Sequence, residues 1–94
     1  MDRLLHQSLA ETEISVAYTL LWGACLHGDE ADQRRTLTRA TEAYHGAVKF
    51  AAGGGELQTA LVELKADIDS WSSSKRESYR KKSQDWHLRS YGSG

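Results

Sequence analysis

Residues 57–71 read LQTALVELKADIDSW and contain the clearest structural pattern in this sequence of 94 residues. The apolar side chains recur with steps of four, three, four and three, at Leu57, Leu61, Leu64, Ile68 and Trp71. This heptad spacing is typical of an α-helix that buries one face. About two heptads are too few for a free coiled coil, so the pattern predicts a helix that packs within a bundle.

The residues after this stripe can continue the helix or break it. Residues 72–74 are three serines, which are weak helix formers, and Ser74 and Glu77 have the spacing of a capping box. If the helix continues, however, Tyr79 and Trp86 fall within about 40° of the same stripe. We therefore predict one long C-terminal helix to about residue 89, bent at the serines, with a break there as the alternative.

A first helix is predicted near the start of the chain. Asp2 is a good N-cap residue, and Gly28 is well placed to close the helix after His27. Ser8 and Glu11 also have capping-box spacing, so Ser8 is a competing start.

A second helix is predicted from just after Asp29 to Ala52, with the glycines at 53–55 as its terminator. Its apolar stripe has a spacing of about 3.6 residues and is rich in alanine. The stripe consists of Leu37, Ala40, Tyr44, Val48 and Ala51.

These elements together predict an all-α protein with a small antiparallel three-helix arrangement. A chain of 94 residues with 39% hydrophobic residues and no proline is long enough for one domain with a modest core. We place this domain at residues 1–90 and expect residues 91–94 to form a flexible tail. The single cysteine, Cys25, excludes an internal disulfide.

The uncharged run at residues 14–28 is too short to span a membrane. As a helix it rises about 22 Å, whereas the hydrocarbon core of a bilayer is about 30 Å thick. The N-terminus also lacks the pattern of a signal peptide. We therefore expect a buried helix in a cytoplasmic protein that makes no membrane contact.

The first helix is apolar on two sides, and the rest of the chain offers little apolar surface to cover both. A narrow strip of Ser15, Thr19 and Gly23 separates the two sides, and it is either the solvent face or a place of close helix approach. We expect a homo-oligomer in which a second copy supplies the missing cover. The predicted interface consists of Ser15, Tyr18, Thr19, Trp22, Gly23 and Leu26.

Enzyme signatures are scarce, because the sequence contains no phosphate-binding loop, dinucleotide fingerprint, nucleophile elbow or zinc-protease motif. Glu42 and His45 form one Glu-x-x-His pair, whereas a di-iron bundle needs two such pairs and two more glutamates. On a helical wheel, both residues lie on the flank of the second helix. We therefore predict no catalytic residues, no metal and no cofactor.

The C-terminal residues carry the strongest charge bias. Residues 75–94 have a net charge of +4, whereas residues 1–74 have a net charge of −5. Aromatic residues lie among the cations, which is typical of nucleic-acid binding or of docking onto an acidic protein surface, including an acidic neighbour in the same oligomer. The predicted partner-binding residues are Lys75, Arg76, Tyr79, Arg80, Lys81, Lys82, Trp86 and Arg89.

The overall net charge of −1 favours a protein partner, because nucleic-acid binders are usually basic. The sequence therefore predicts a non-enzymatic protein that acts by binding protein, as a regulator, inhibitor, adaptor or assembly component. Nucleic-acid binding by the C-terminal helix is the alternative.

Overall fold

A computed structural model describes residues 2–51 and 55–92, with side chains at 8–51 and 55–89. It contains four α-helices and a short 3₁₀ turn, Ser73–Lys75, before the last of them. The helices are α1 (Asp2–Ala24), α2 (Glu30–Phe50), α3 (Glu56–Asp69) and α4 (Arg76–Gly92). The described residues contain no strand, so the predicted all-α class is confirmed, whereas the count of three helices is wrong.

Helix α1 begins at Asp2 as predicted but ends at Ala24, short of His27. Its last turn tightens, because the Cys25 amide donates to the Trp22 carbonyl at 3.0 Å. Such bonds to the third residue back commonly close a helix. The alternative start at Ser8 is wrong: Ser8 lies within the helix, and its carbonyl accepts a hydrogen bond from the Thr12 hydroxyl at 2.9 Å.

Helix α2 begins at Glu30, just after Asp29 as predicted, and Asp29 caps it. The Asp29 carboxylate accepts a hydrogen bond from the Ala31 amide at 3.0 Å, from an extended backbone. The helix ends at Phe50, where the Ala51 amide donates to the Ala47 carbonyl at 2.9 Å. Of the predicted glycine terminator, Gly53 and Gly54 lie outside the described residues, and Gly55 adopts a φ of 84°. This left-handed conformation suits glycine and turns the chain into α3.

The predicted long C-terminal helix is wrong, because α3 ends at Asp69 and α4 runs back antiparallel to it. Glu56 at the start of α3 pairs with Arg89 near the end of α4. Asp67 near the end of α3 pairs with Lys82. The chain therefore reverses at the serines, and the alternative prediction of a helix break at this position is confirmed.

Local hydrogen bonds hold this reversal. Ser72 has an extended backbone, and its hydroxyl accepts a hydrogen bond from the Ser74 amide at 3.3 Å. The Ser72 amide donates to the Tyr79 hydroxyl at 3.1 Å. Serine competes well against helix because its side chain offers the backbone such bonds. The reversal thereby brings α4 onto α1.

Helix α1 lies at the centre of the molecule and contacts the three other helices. The Glu13 side chain lies against Gly46 of α2, and the Ser15 hydroxyl donates to the Ser83 carbonyl of α4 at 3.1 Å. Glu13 and Ser15 point about 160° apart on a helix, so α2 and α4 lie on opposite flanks of α1. The Tyr18 hydroxyl donates to Asp67 of α3, which places α3 behind α1.

One chain therefore covers most of the apolar surface of α1, which is more than we expected, but it leaves Leu9 and Val16 exposed. The covered residues of α1 are buried to at least nine-tenths: Ala10, Ile14, Ala17, Tyr18, Leu21 and Ala24. Small alanines on α2 (Ala40, Ala43 and Ala47) let that helix come close to α1.

At the C-terminus, Tyr91 and Gly92 of the predicted tail belong to α4, and Ser93 and Gly94 lie outside the described residues. None of the described helices combines the length and the apolar character that crossing a membrane requires.

Candidate docking face

Two residues predicted to anchor a partner are part of the core. Tyr79 is fully buried and Trp86 is 8% exposed. They are seven residues apart and therefore lie on the same face of α4, where they pack into the cluster centred on α1. Both are thus unavailable as partner anchors, because the reversal at the serines turns them inward.

The cations of α4 largely pair with acids of the same chain. Helix α3 presents Glu56, Glu63 and Asp67 along one side, at spacings of seven and four residues. The Lys82 ammonium lies 2.9 Å from Asp67 and 3.6 Å from Glu63, and Arg89 pairs with Glu56. The acidic neighbour that the sequence allowed for the basic block is therefore a helix of the same molecule.

The other predicted cations lie on the exterior. Arg80 pairs with Glu77 at 3.1 Å within α4, and the Lys75 ammonium lies 3.4 Å from the Ser70 hydroxyl. Arg76 and Lys81 are exposed and form no ion pair within the described residues. Partner binding by these four cations stays a prediction.

Tyr18, Asp67 and Lys82 form a polar cluster at the junction of α1, α3 and α4. The Asp67 carboxylate accepts the Tyr18 hydroxyl at 2.7 Å and the Lys82 ammonium at 2.9 Å. Burial raises the pKa of the Tyr18 phenol above its ordinary value, and the hydrogen bond to Asp67 raises it further. Burial alone lowers the pKa of Lys82, but Asp67 and Glu63 outweigh it and leave that pKa raised. The cluster therefore joins three helices with charges that are half shielded from water.

This cluster predicts a loss of stability in alkali. Above about pH 10 the unfolded chain ionises its tyrosines, whereas the folded chain keeps Tyr18 protonated. The free energy of unfolding should then fall by up to about 1.4 kcal/mol per pH unit for this residue, with no such loss below that pH. Urea unfolding at about pH 9 and about pH 11 measures the slope. Tyr18→Phe should have a shallower slope, and an unchanged slope would contradict the assignment.

The front of α1, opposite α3, is exposed and carries no charge. We define the open face as the residues that line this side of α1, together with Leu26 in the turn that follows the helix: Leu9, Thr12, Val16, Thr19, Gly23 and Leu26. The exposed fractions of Leu9, Val16 and Leu26 are 37%, 41% and 57%. Val16 points about 160° away from Tyr18, which faces α3. At its α4 edge the Thr19 hydroxyl is hydrogen-bonded to the Ser83 hydroxyl of α4, whereas Leu9, Val16 and Leu26 stay exposed.

The predicted oligomer interface is divided between the core and the open face. Tyr18 is buried under α3, and Ser15 is buried under α4, so neither is available to a second copy. Thr19, Gly23 and Leu26 lie on the open face, and Trp22 is half-buried at its edge. The strip of Ser15, Thr19 and Gly23 therefore forms the boundary between the open face and α4. Ser15 lies within the α1–α4 contact, and Gly23 lies outside it.

Each edge of the open face has a recess. Along α4, a groove of about 370 Å³ is lined by Ser15, Thr19, Ser83, Gln84, His87 and Leu88. Along α2, a smaller recess of about 200 Å³ is lined by His27, Asp32, Arg35, Thr36 and Arg39. Leu88, with an exposed fraction of 65%, extends the apolar surface toward α4.

The structure brings no metal ligands together among the residues it describes. Glu42 and His45 are exposed on α2, and the described residues contain no cluster of three or more potential ligands. The single thiol, Cys25, is half-buried, and burial raises its pKa.

The sequence was compared with family models and with curated proteins, and the structure with solved structures. None of the three comparisons finds a match.

Proposed function

We propose that the protein is a non-enzymatic, cytoplasmic protein that acts by binding other protein through the open face of α1. The observation that supports this most is the absence of charge over a helical surface roughly 21 Å long, from Leu9 to Gly23. The outer face of a surface helix normally carries charged residues, whereas here it carries Leu9, Val16 and Leu26. A contiguous exposed apolar surface with polar edges is typical of an interaction site.

The shape of the face suits a helical partner. Helices α2 and α4 flank α1 as two walls, and the position in front of α1 is the one that no described helix fills. A helix laid along α1 would place its apolar residues between the walls, at the same spacings of three and four residues. A regulator, inhibitor, adaptor or assembly component would use such a face in the same way.

Nucleic-acid binding by α4 has less support. Stacking needs exposed aromatic rings, and Tyr79 and Trp86 are buried. Backbone binding needs free cations, and the pairing of Lys82 and Arg89 with acids of α3 reduces the free cations of the basic block to Lys75, Arg76 and Lys81 among the described residues. Protein binding is therefore the better proposal.

Photo-crosslinking in the native cells tests the proposal. A photoreactive amino acid at Val16 should yield discrete covalent adducts with protein. The matched control is Val62, which is 70% exposed and points outward from α3. The control should yield few adducts because no partner covers it. Absence of adducts at Val16, or equal labelling at both positions, would contradict the proposal.

A further inference from the structure

We infer that the partner on the open face is a second copy of this chain, with the two α1 helices antiparallel about a two-fold axis. This inference rests on the proposed function, since it names the occupant of the same face. Two observations carry it: the self-complementary order of residues along the face and the charges at its α2 edge.

The residues of the open face are complementary to themselves. A two-fold axis midway between Val16 and Thr19 places Leu9 opposite the partner's Leu26. The same axis places Thr12 opposite the partner's Gly23 and Val16 opposite the partner's Thr19. Thr12 thus meets a glycine, Val16 meets the similarly sized Thr19, and two leucines meet at each end. Such reciprocal contacts define a closed two-fold interface.

The α2 edge carries unpaired charges at matching heights. Glu13 lies against Gly46, and the two helices are antiparallel, so Arg39 is level with Leu20 and Arg35 with Ala24. Arg39 forms no ion pair within the described part of the chain. Arg35 lies 3.7 Å from Asp32, an exposed pair that contributes little stability.

The two-fold axis brings these charges together. It places the partner's Glu13 level with Trp22, on the α2 edge, between Arg35 and Arg39. Glu13 forms no ion pair in its own described chain, so a carboxylate without a cation meets a guanidinium without an anion. Symmetry repeats the contact, and each dimer gains two such pairs. The centre of the face carries no charge, so bringing two copies together desolvates no charge there.

The size of the molecule bears on how much of its surface a dimer would use. It measures 43 × 22 × 17 Å. A stable interface of standard size buries about 800 Å² on each partner, so it would include the flanking surfaces of α2 and α4 beside the open face. The apolar centre with a polar edge also matches the usual anatomy of such interfaces.

Charge reversal tests the contact between Glu13 and the arginines. The purified chain should have the mass of a dimer in light scattering at micromolar concentration. Arg39→Glu should raise the dissociation constant at least about tenfold, because like charges then face each other. Glu13→Arg combined with Arg39→Glu should restore dimerisation. The matched control is Arg34→Glu, at an exposed arginine that points away from α1 and pairs with Glu30, and it should have little effect.

Cysteine crosslinking tests the orientation. In a Cys25→Ser background, mixing Leu9→Cys chains with Leu26→Cys chains should give disulfide-linked heterodimers under mild oxidation. Neither variant alone should crosslink, because the two copies of Leu9 lie at opposite ends of the interface. Crosslinking of each variant with itself would show a parallel arrangement and overturn the inference.

The two proposals fail in different ways. A monomeric purified chain whose Val16 position captures a different protein in cells would overturn the second copy as partner and leave the proposed function intact. If Val16 captures nothing and the chain is monomeric, both proposals are wrong. A dimer that Arg39→Glu leaves unchanged would overturn the antiparallel arrangement of the two α1 helices.

Discussion

Replacing Trp86 with alanine should lower the free energy of unfolding by about 3–5 kcal/mol. The Trp86 indole projects from α4 and is buried in the core. The Arg89 guanidinium carbon lies 4.6 Å from the centre of its ring. Alanine would leave a cavity and remove one of the two buried aromatic side chains by which α4 packs onto the core. A domain of this size has a total stability of roughly 5–14 kcal/mol, so the loss should be a large fraction of the total. Urea denaturation followed by circular dichroism measures the loss.

Leu88→Ala provides the matched control. Leu88 is on the same helix but is largely exposed, so its loss should change the free energy of unfolding by less than about 0.5 kcal/mol. If Trp86→Ala were as stable as Leu88→Ala but lost a binding partner, Trp86 would be the surface anchor that the sequence predicted. Equal losses of stability in both variants would also contradict the burial of Trp86.

Replacing Asp67 with alanine should lower the free energy of unfolding by about 3 kcal/mol. The Tyr18 hydroxyl would lose its acceptor in the core, and Lys82 would keep only Glu63, at 3.6 Å. Hydrogen bonds to charged groups contribute about 1.5–3 kcal/mol each. Lys82 retains some access to water, so the loss should stay at the lower end of the range for a broken buried pair.

The control for Asp67 is Asp69→Ala. Asp69 pairs with Lys65 at 2.8 Å on the outer side of α3, and an exposed pair of this kind contributes about 0.3–0.5 kcal/mol. A double-mutant cycle between Tyr18→Phe and Asp67→Asn isolates the bond between the two side chains. Coupling above about 0.5 kcal/mol is expected, and additive losses would contradict the cluster.

The helix starts were predictable because short-range chemistry determines them. Asp29 caps α2 through a hydrogen bond two residues away, which the sequence displays directly. The reversal after Asp69 was harder to predict, because one long helix and two antiparallel helices both place Tyr79 and Trp86 on an apolar stripe. The three serines at 72–74 indicated the reversal. We predicted one long helix because Tyr79 and Trp86 continue the apolar stripe of residues 57–71.

The pairing of the basic C-terminal residues with acids of α3 could also have been predicted in part. Lys82 and Arg89 are seven residues apart, as are Glu56 and Glu63, and matching spacings of opposite charge indicate two helices that pair. The open face was harder to identify, since every residue from Ile14 to Leu26 is uncharged. Which of them face water depends on where α2, α3 and α4 lie around α1, and periodicity within α1 does not contain that information.

The contact between α1 and α4 also bears on how the chain folds as it is synthesised. Ser15 and Ser83 are 68 residues apart in sequence, whereas α1 and α2 are joined by a short turn. The α1–α2 hairpin can therefore form early, but the side of α1 that receives Tyr79 and Trp86 stays bare until α4 has emerged from the ribosome. Distant contacts form slowly because closing the intervening chain costs entropy. During that interval the nascent chain exposes both the open face and the side of α1 that α4 later covers. It is then most prone to aggregation.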